Sequence, residues 1–386
     1  MLDTTLYPMK FLPLFKNKVW GGNKIKSLGF DYAPLPNCGE LWVLSSVEEN
    51  ESVIANGFLA NNTINEAIEI YMGELLGERN FDHFGSQFPL LIKVIDAADK
   101  LSIQVHPGDA LAQERGMENG KTEMWYIMEA EKGAEIVDGF AAKFSADMYR
   151  QALADGTFEE YLHKEKPQAG DVFFIPAGRV HALGKGILLA EIQQSSDCTY
   201  RIYDYNRPDT NGRMRELHTD EALAAIDFSP VKDAKTHYAA KTGATNRLAE
   251  CPYFTTNLIS LTKPLRKSLA KIDSFVVYLC VEGIAAVKTL EQVVPIHAGE
   301  CVLVPAVADN VELHCEGAAK LLEIYVDPDK WVDNGRSHVH DFDWAATFIG
   351  DKNPDDYPLE EDDDDYTDED AEDYLDNITL NDFFDK

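Results

Sequence analysis

Two segments of eight residues resemble each other, and this weak repeat limits the possible fold more than any other feature. Residues 170–177 read GDVFFIPA, and residues 299–306 read GECVLVPA. Each copy follows an apolar run that ends near an acidic residue and a glycine, and each precedes a run containing Leu-Leu and Glu-Ile. A small repeated unit buries its apolar face by packing against its neighbour. The repeat therefore predicts two copies of one β-barrel unit.

The remaining apolar residues fall mainly in short runs that Gly, Pro and Asp separate. Short runs with turn residues between them indicate the strands of a sandwich or barrel. The predicted strands cover residues 41–45, 90–95, 124–128, 172–175, 187–192, 275–280, 301–304 and 321–326. The predicted fold class is mainly β.

A few short helices are expected between these strands. Thr63 and Glu66 have the spacing of a capping box, in which each side chain bonds to the backbone of the other residue. Ser145 is predicted to start a second helix, which ends near Gly156. A short third helix is predicted from its capping residues, Thr157 and Glu160.

The two copies of the repeat differ where a metal could bind. Five residues after the shared proline, the first copy has His181 and the second has Asn310. Gly133 precedes the first copy and Gly283 precedes the second. Ten residues before these glycines lie Glu123 and Asp273, which this count makes equivalent. The second copy also has no Gln-x-His or His-x-His run before that point. The first barrel is therefore the candidate for a metal site, and the second is predicted to lack one.

The candidate ligands are Gln104, His106, Glu123 and His181. Residues two apart in a strand share a face, so the side chains of Gln104 and His106 are expected to point into the same barrel. One amide, two imidazoles and one carboxylate suit Zn²⁺ and leave room for water or substrate. Taken singly, a Gln-x-His run or a Pro-Ala-Gly-x-x-His turn is more often structural. On spacing alone, a metal site and a polar barrel lining stay equally open.

Charge restricts the partners. The chain has 386 residues and a net charge of −32, and residues 351–386 contain 17 acidic and 2 basic residues. This balance excludes nucleic acid as a partner, because its phosphates need a basic surface. An anionic substrate would need a local group of cations against an unfavourable overall field.

The location expected from the sequence is cytoplasmic. No apolar run approaches the roughly 18–20 residues of a membrane helix, and the first residues do not have the pattern of a secretory signal. The six cysteines show no CxxC spacing, which indicates reduced thiols rather than a disulfide framework or a cysteine zinc site.

Several segments resemble, in order, those of type I mannose-6-phosphate isomerases in their shorter bacterial form. The strongest are residues 104–107 (QVHP), 120–126 (GKTEMWY) and 176–183 (PAGRVHAL). Residues 19–22, 39–42, 88–93 and 199–205 are also similar to that family, and the similarity covers residues 8–326. The resemblance implies a cupin (jelly-roll) double β-barrel with a metal in the first barrel only. It also implies a zinc enzyme with one Zn²⁺ per chain that interconverts mannose 6-phosphate and fructose 6-phosphate through an enediol.

The resemblance also implies catalytic residues. Arg201 matches the family's catalytic arginine, whose fixed charge would stabilise an enediolate; the alternative is a surface arginine paired with Asp204. Glu191 and Asp197 match acidic positions, and either could transfer the proton. Lys121 shares a strand face with Glu123, so it is expected to contact substrate in the same cavity, or else to be a solvated lysine at a strand end.

For the substrate phosphate, the matching positions are Ser102, Lys93 and Arg207. Ser102 lies on the strand face of Gln104 and His106 and could donate its hydroxyl, while the basic residues would supply charge. The alternatives are a polar barrel lining for Ser102 and an ordinary loop residue for Arg207.

Four regions are predicted along the chain. Residues 1–235 form the metal-binding barrel, with helical insertions at about 63–77 and 145–165, and residues 236–326 form the metal-free barrel. Residues 327–350 contain Trp331, Trp344 and Phe348 and are apolar enough to dock on the barrels; His338 and His340 in this region are interpreted as non-ligands. Residues 351–386 are predicted to be a disordered acidic tail. The apolar tip of the tail, residues 380–384, is a candidate contact for an unknown protein partner.

Two functions compete with the isomerase. A non-catalytic cupin that binds a sugar phosphate and regulates another process would have a damaged site, whereas the ligands and Arg201 are all present. An iron-dependent cupin dioxygenase would be expected to present more histidines to its metal.

Overall fold

The computed structural model describes residues 5–209, 211–290 and 292–331. Its strands are β1 (Met9–Lys10), β2 (Leu14–Lys16), β3 (Glu40–Leu44), β4 (Leu90–Ala97), β5 (Ile103–Val105), β6 (Glu123–Ala130), β7 (Ile136–Phe140), β8 (Leu162–Glu165), β9 (Val172–Ile175), β10 (His181–Leu183), β11 (Ile187–Gln194), β12 (Tyr200–Tyr203), β13 (Thr245–Glu250), β14 (Thr255–Leu261), β15 (Leu265–Ser268), β16 (Val276–Lys288), β17 (Val293–His297), β18 (Cys301–Val304) and β19 (Asn310–Tyr325). The α-helices are α1 (Lys24–Ser27), α2 (Ile64–Leu76), α3 (Glu78–Phe84), α4 (Asp109–Glu114), α5 (Ala146–Asp155) and α6 (Thr219–Ala225), and short 3₁₀ helices cover Phe158–Tyr161 and Pro328–Lys330.

The first barrel is built from two antiparallel sheets. One has the strand order β2-β3-β4-β11-β6-β9, and the other has the order β12-β5-β10-β7-β8. Ile95 and Trp125 from the first sheet share one buried core with Ile136 and Leu183 from the second. The two sheets therefore face each other, and this interior holds the candidate site.

The second barrel is an eight-stranded antiparallel sheet. Its main path is β1-β18-β16-β19-β14-β13, with β15 paired to β19 and β17 paired to β16. The two long strands β16 and β19 pair along most of their length, with register shifts near Gly283. Their inward side chains, including Tyr278, Val287 and Leu321, form a separate core. The predicted mainly β fold with two barrels is confirmed.

A third core joins the barrels. It combines Leu41 and Ile92 from the first barrel with Val277 and Leu322 from the second. Strands β4 and β11 are buried at every position because one face lines the first barrel and the other packs on the second. The short strand β1 also crosses between the barrels, since it pairs with β18 although it belongs to the region predicted as the first domain.

Two helices begin and end as predicted, and the third differs. The Thr63 hydroxyl accepts from the Glu66 N–H at 3.2 Å, and the Glu66 carboxylate accepts from the Thr63 N–H at 2.7 Å, which completes the capping box. Ser145 caps α5, which ends at Gly156 in the left-handed conformation. The third prediction is corrected: Phe158–Tyr161 is a single 3₁₀ turn in which Thr157 makes no side-chain capping bond.

Strand register gives the true correspondence between the two repeat copies. Glu123 pairs with Ile175, and Val276 pairs with Val304, the residue that matches Ile175 in the repeat. Val276, rather than the predicted Asp273, is therefore the counterpart of Glu123. Counting from the glycines failed because Gly283 lies inside the long strand β16, whereas Gly133 lies in a turn after β6.

The second barrel carries different residues at the other ligand positions too. His181 pairs with Gln104, and in the second barrel Asn310 pairs with Ser268.

The predictions for residues 332–386, including Trp344, Phe348, the His338 and His340 pair and the acidic tail, lie outside the described residues. Among the described residues, none of the helices is long and apolar enough to cross a membrane.

Candidate active site

The turn from β9 to β10 places His181 at the inner end of the first barrel. Gly178 has φ +87°, a backbone conformation that favours glycine, and a side chain there would lie 3.0 Å from the Ala225 carbonyl oxygen. His181 Nδ1 lies 2.8 Å from the Arg179 carbonyl oxygen, which can only accept. Nδ1 must therefore carry the proton, and Nε2 keeps a free lone pair.

Three buried side chains meet around one point. His106 Nε2 is 3.4 Å from one carboxylate oxygen of Glu123, and His181 Nε2 is 3.4 Å from the other. One ligand atom from each residue lies within 4.8 Å of the other two. The sequence predicted this convergence of residues from three separate parts of the chain.

These side chains lack ordinary hydrogen-bond partners. Both Glu123 oxygens, both His106 nitrogens and His181 Nε2 are buried without a hydrogen bond. Because buried polar atoms are normally satisfied, and a buried carboxylate without hydrogen bonds is costly, this group of side chains favours a bound cation. Burial, followed by the charge of Lys121, lowers the pKa of His106 well below its ordinary value, so this imidazole is neutral, as a metal ligand must be. The donor set fits a divalent metal.

Gln104 and Arg201 lie in the same row of the sheet as His181. Gln104 pairs with His181 on one side and with Arg201 on the other. Directly opposed residues of antiparallel strands present their side chains on the same face. The Arg201 guanidinium donates to the Glu216 carbonyl oxygen at 2.8 Å, so its principal contact is not the predicted alternative partner Asp204.

Lys121 lies beside the candidate ligand cluster, as predicted, although it precedes β6 rather than sharing a strand face with Glu123. Its ammonium nitrogen is 3.6 Å from a Glu123 oxygen, and the side chain is almost fully buried. Ser102 is also buried, just before β5. Asp197 lies exposed between β11 and β12.

Glu191 is held by two donors. Lys93 donates to one carboxylate oxygen at 3.0 Å, and the Trp125 indole donates to the other at 2.9 Å. Lys93 and Glu191 lie directly opposite each other on β4 and β11, and both are buried. The position predicted as a phosphate contact, Lys93, is therefore engaged in a buried ion pair.

Sequence reasoning assigned no role to Glu40 and Trp42, which extend this network. The Trp42 indole donates to Glu40 at 2.7 Å, and the Lys93 ammonium lies 5.3 Å from the Trp42 ring centroid. Burial lowers the pKa of Lys93, but the charges of Glu191 and Glu40 outweigh burial and raise it. Burial also raises the pKa of Glu40, but Lys93 and Lys18 hold it at about 2. The predicted strand began at residue 41, one residue too late to place Glu40 on the same strand face as Trp42.

We expect Glu40→Gln to lower the free energy of unfolding by about 3 kcal/mol at pH 7. The folded pKa of about 2 lies below the ordinary value of 4.5, and each pKa unit corresponds to about 1.4 kcal/mol. Because the folded pKa is depressed, this contribution is complete above the unfolded pKa and is lost as the pH falls from 4.5 towards 2. Urea unfolding of the metal-free proteins at pH 7, 4 and 3 measures the difference.

The control for this prediction is Glu129→Gln. Glu129 is largely exposed and pairs loosely with Lys24, so its loss should change stability by less than about 0.5 kcal/mol at each pH. A difference between Glu40→Gln and the parent that stays constant with pH would contradict the prediction.

A second cluster missed from the sequence lies just beyond β12. Asp204 is buried and accepts from Arg207 and from Arg215. Arg207 also reaches Asp99, at 3.4 Å. The predicted phosphate residue Arg207 is therefore an anchored side chain rather than a free loop residue, and Arg215 accompanies it.

Known proteins of one family match most of the chain. Residues 9–144 match the family described as phosphomannose isomerase type I, catalytic domain, and residues 244–326 match the mannose-6-phosphate isomerase cupin domain. The chain is 36% identical to mannose-6-phosphate isomerase ManA of Bacillus subtilis over 308 residues, which covers 78% of this chain and 94% of that protein. It is 41% identical to a mannose-6-phosphate isomerase of Streptococcus mutans over 247 residues, or 62% of this chain and 74% of that protein.

Solved structures agree with this. The crystal structure of the Bacillus subtilis mannose 6-phosphate isomerase superposes with a TM-score of 0.74 at 31% identity, over 82% of this chain and 99% of that chain. A structure from Archaeoglobus fulgidus described as a mannosephosphate isomerase superposes with a TM-score of 0.67 at 21% identity, over 85% of this chain and all of that one, and supports the fold.

Proposed function

Since this chain belongs to the type I mannose-6-phosphate isomerase family and is thus an aldose–ketose isomerase, we propose that it interconverts mannose 6-phosphate and fructose 6-phosphate with one zinc ion. The proposed ligands are Gln104, His106, Glu123 and His181. The observation that carries the proposal is the buried, unsatisfied cluster of His106, Glu123 and His181. Its nitrogen and oxygen donors and its single negative charge suit Zn²⁺.

A bound zinc ion would supply a Lewis acid that polarises the carbonyl and the neighbouring hydroxyl of the open sugar. The side chains around it then have separate tasks. Lys121, beside Glu123, is placed to donate to a substrate hydroxyl. Arg201, in the same row as Gln104, offers a fixed positive charge to the enediolate.

Proton transfer between C1 and C2 is assigned to Glu191 in this proposal. Lys93 and Trp125 each donate to one of its oxygens, which fixes the orientation of the carboxyl group and leaves lone pairs that can accept a proton. Asp197, the other predicted acid, lies exposed and has less support. Lys93 serves here to hold Glu191, and the phosphate is assigned to Ser102 and Arg207.

We also propose that the enzyme works in the cytoplasm, with a sugar phosphate as its small-molecule partner. All six cysteines are free thiols. Burial raises the pKa of Cys38 to about 11 and the pKa of Cys251 and Cys280 to about 12, so these thiols are unreactive.

Removal of the metal tests the proposed function. The conversion of mannose 6-phosphate to fructose 6-phosphate is followed in a coupled assay before chelation, after chelation and after addition of Zn²⁺. We expect chelation to lower kcat at least ~100-fold and Zn²⁺ to restore it, because the chemistry needs the Lewis acid. The zinc content, measured by elemental analysis, should return to one ion per chain.

Two other results would redirect the assignment. No turnover by the fully zinc-loaded protein would overturn the proposal and favour a sugar-phosphate-binding protein with a regulatory role. Iron in the purified protein together with oxygen uptake would favour a dioxygenase.

A further inference from the structure

One buried carboxylate binds two arginines just outside the row of candidate active-site residues. Asp204 follows β12 and is only 3% exposed. Arg207 donates two N–H groups to it at 3.1 and 3.0 Å, and Arg215 donates two at 2.6 and 2.6 Å. A single arginine would already neutralise this carboxylate. Arg207 also contacts Asp99, at 3.4 Å, so Arg215 is the second cation on Asp204.

Arg215 lies on a segment that runs beside β12. The His218 N–H donates to the Arg201 carbonyl oxygen at 2.7 Å, and the Arg201 N–H donates to His218 Nδ1 at 3.2 Å. The guanidinium of Arg201 donates to the carbonyl oxygen of Glu216, the neighbour of Arg215. The backbone order across the barrel is therefore His181, Gln104, Arg201 and then the segment with Arg215, with about 4.8 Å between neighbouring strands.

Several cations are concentrated in this region although the chain carries a net charge of −32. Arg207 and Lys100 both lie over the Tyr205 ring, with their charges 5.7 and 5.0 Å from its centroid. Burial, and after it the charges of Arg215 and Arg207, lower the pKa of Arg201, as expected for cations close to one another. Four cations lie close together here, Lys100, Arg201, Arg207 and Arg215, among the carboxylates Asp99, Glu159, Asp204 and Glu216. An anion that enters this group meets guanidinium N–H donors directly.

Arg215 also has donors to spare. A guanidinium has five N–H groups in a planar fork. The bonds to Asp204 use Nε and one N–H of Nη2, so the two N–H groups of Nη1 and one of Nη2 remain. This arrangement fixes the plane of the guanidinium while it leaves a face that can bind a phosphate.

Resting on the proposed function, we propose that Arg215 binds the phosphate group of the substrate and thereby selects phosphorylated sugars. Asp204 is the positioning residue that orients Arg215 together with Arg207. This assignment adds a phosphate contact to those that the sequence predicted, and it uses a residue 11 positions beyond Asp204, in a loop without periodic pattern.

Steady-state kinetics of the zinc-loaded full chain tests the proposal with Arg215→Gln and the matched control Arg213→Gln. Arg213 is exposed and lies two residues away, so its replacement removes the same charge without touching Asp204. For Arg215→Gln we expect KM for mannose 6-phosphate to rise ~10–100-fold while kcat stays within ~3-fold, because the contact is made equally in the ground and transition states. For unphosphorylated mannose, kcat/KM should change by less than ~2-fold. Arg213→Gln should leave every value within ~2-fold.

Binding of inorganic phosphate, measured by calorimetry, provides a readout that needs no turnover. The dissociation constant should rise ~10-fold or more in Arg215→Gln and in Asp204→Asn, remain unchanged in Arg213→Gln, and recover in part in Arg215→Lys. Equal losses with both sugars, an unchanged KM, or unchanged phosphate binding would each overturn the role of Arg215. Absence of turnover in the parent protein would instead overturn the proposed function, and the phosphate titration would still decide the role of Arg215.

Discussion

Glu123→Ala is expected to lower kcat for mannose 6-phosphate isomerisation at least ~1,000-fold, which corresponds to about 4 kcal/mol of transition-state stabilisation. Glu123 supplies the only negative charge of the proposed ligand set and lies between the two imidazoles. Its removal leaves Gln104, His106 and His181, which are neutral ligands and bind Zn²⁺ much more weakly. Elemental analysis after dialysis should find far less than one zinc ion per chain.

Thermal unfolding adds a measurement that does not depend on catalysis. In the metal-free protein the Glu123 carboxylate is buried without a hydrogen bond, but it lies 3.6 Å from the buried Lys121 ammonium. Glu123→Ala removes a poorly satisfied charge and also leaves Lys121 without this partner, so the two effects oppose each other and the unfolding temperature should stay within about 5 °C of the parent. Zn²⁺ should raise the unfolding temperature of the parent, because it binds only the folded state, and should have little effect on the variant.

A matched control is His237→Ala, because His237 is an exposed histidine paired only with Asp233. It should keep the parent's kcat, zinc content and response to Zn²⁺. A Glu123→Ala protein that retains one zinc ion and normal turnover would refute the proposed ligand set.

The proposed metal ligands could be identified from the sequence because their signals are local. The strand period places Gln104 and His106 on one face, and the comparison of the two repeat copies singled out His181. The same repeat predicted the double barrel. The prediction of the counterpart of Glu123 failed because it assumed a turn at Gly283. Strand β16 continues through Gly283, so the counterpart is Val276 and not Asp273.

The ion network around Lys93 could not be predicted in the same way. Lys93 lies on β4, Glu40 on β3 and Glu191 on β11, and the three strands are neighbours in one sheet although they are far apart in sequence. The period of a strand tells which face a residue occupies, but only the register tells which residues lie opposite it. Lys93 was therefore predicted to bind phosphate, whereas its charge lies between two carboxylates. The pairing of Asp204 with Arg215 was missed because residues in a loop follow no regular period.

Lys93→Met should lower the free energy of unfolding by about 3–5 kcal/mol, the largest stability effect expected in the first barrel. The ion pair with Glu191 is about 6% exposed on both sides, so the substitution leaves a buried carboxylate without its cation. Glu40 loses the same cation and keeps Lys18 and the Trp42 indole. Urea unfolding of the zinc-loaded proteins at pH 7 measures the change.

The control is Lys18→Met, because Lys18 pairs with Glu40 at 3.1 Å from a partly exposed position. We expect it to cost less than about 1 kcal/mol. The double variant Lys93→Met with Glu191→Gln measures the interaction energy between these two side chains apart from their contacts with other residues. If the cost of Lys93→Met comes from the stranded charge of Glu191, the double variant should be less destabilised than the sum of the two single variants by about 1–3 kcal/mol.

The same three proteins distinguish the two tasks assigned to Glu191. Adding Glu191→Gln to Lys93→Met should recover stability without recovering turnover, because the amide removes the buried charge but cannot accept the proton from the sugar. Turnover that returned together with stability would show that Glu191 only stabilises the barrel, and the base would then have to be sought elsewhere. If the free energy of unfolding of Lys93→Met lay within 1 kcal/mol of the parent, the buried ion pair itself would be contradicted. A buried carboxylate that loses its cation is expected to destabilise the fold by more than that.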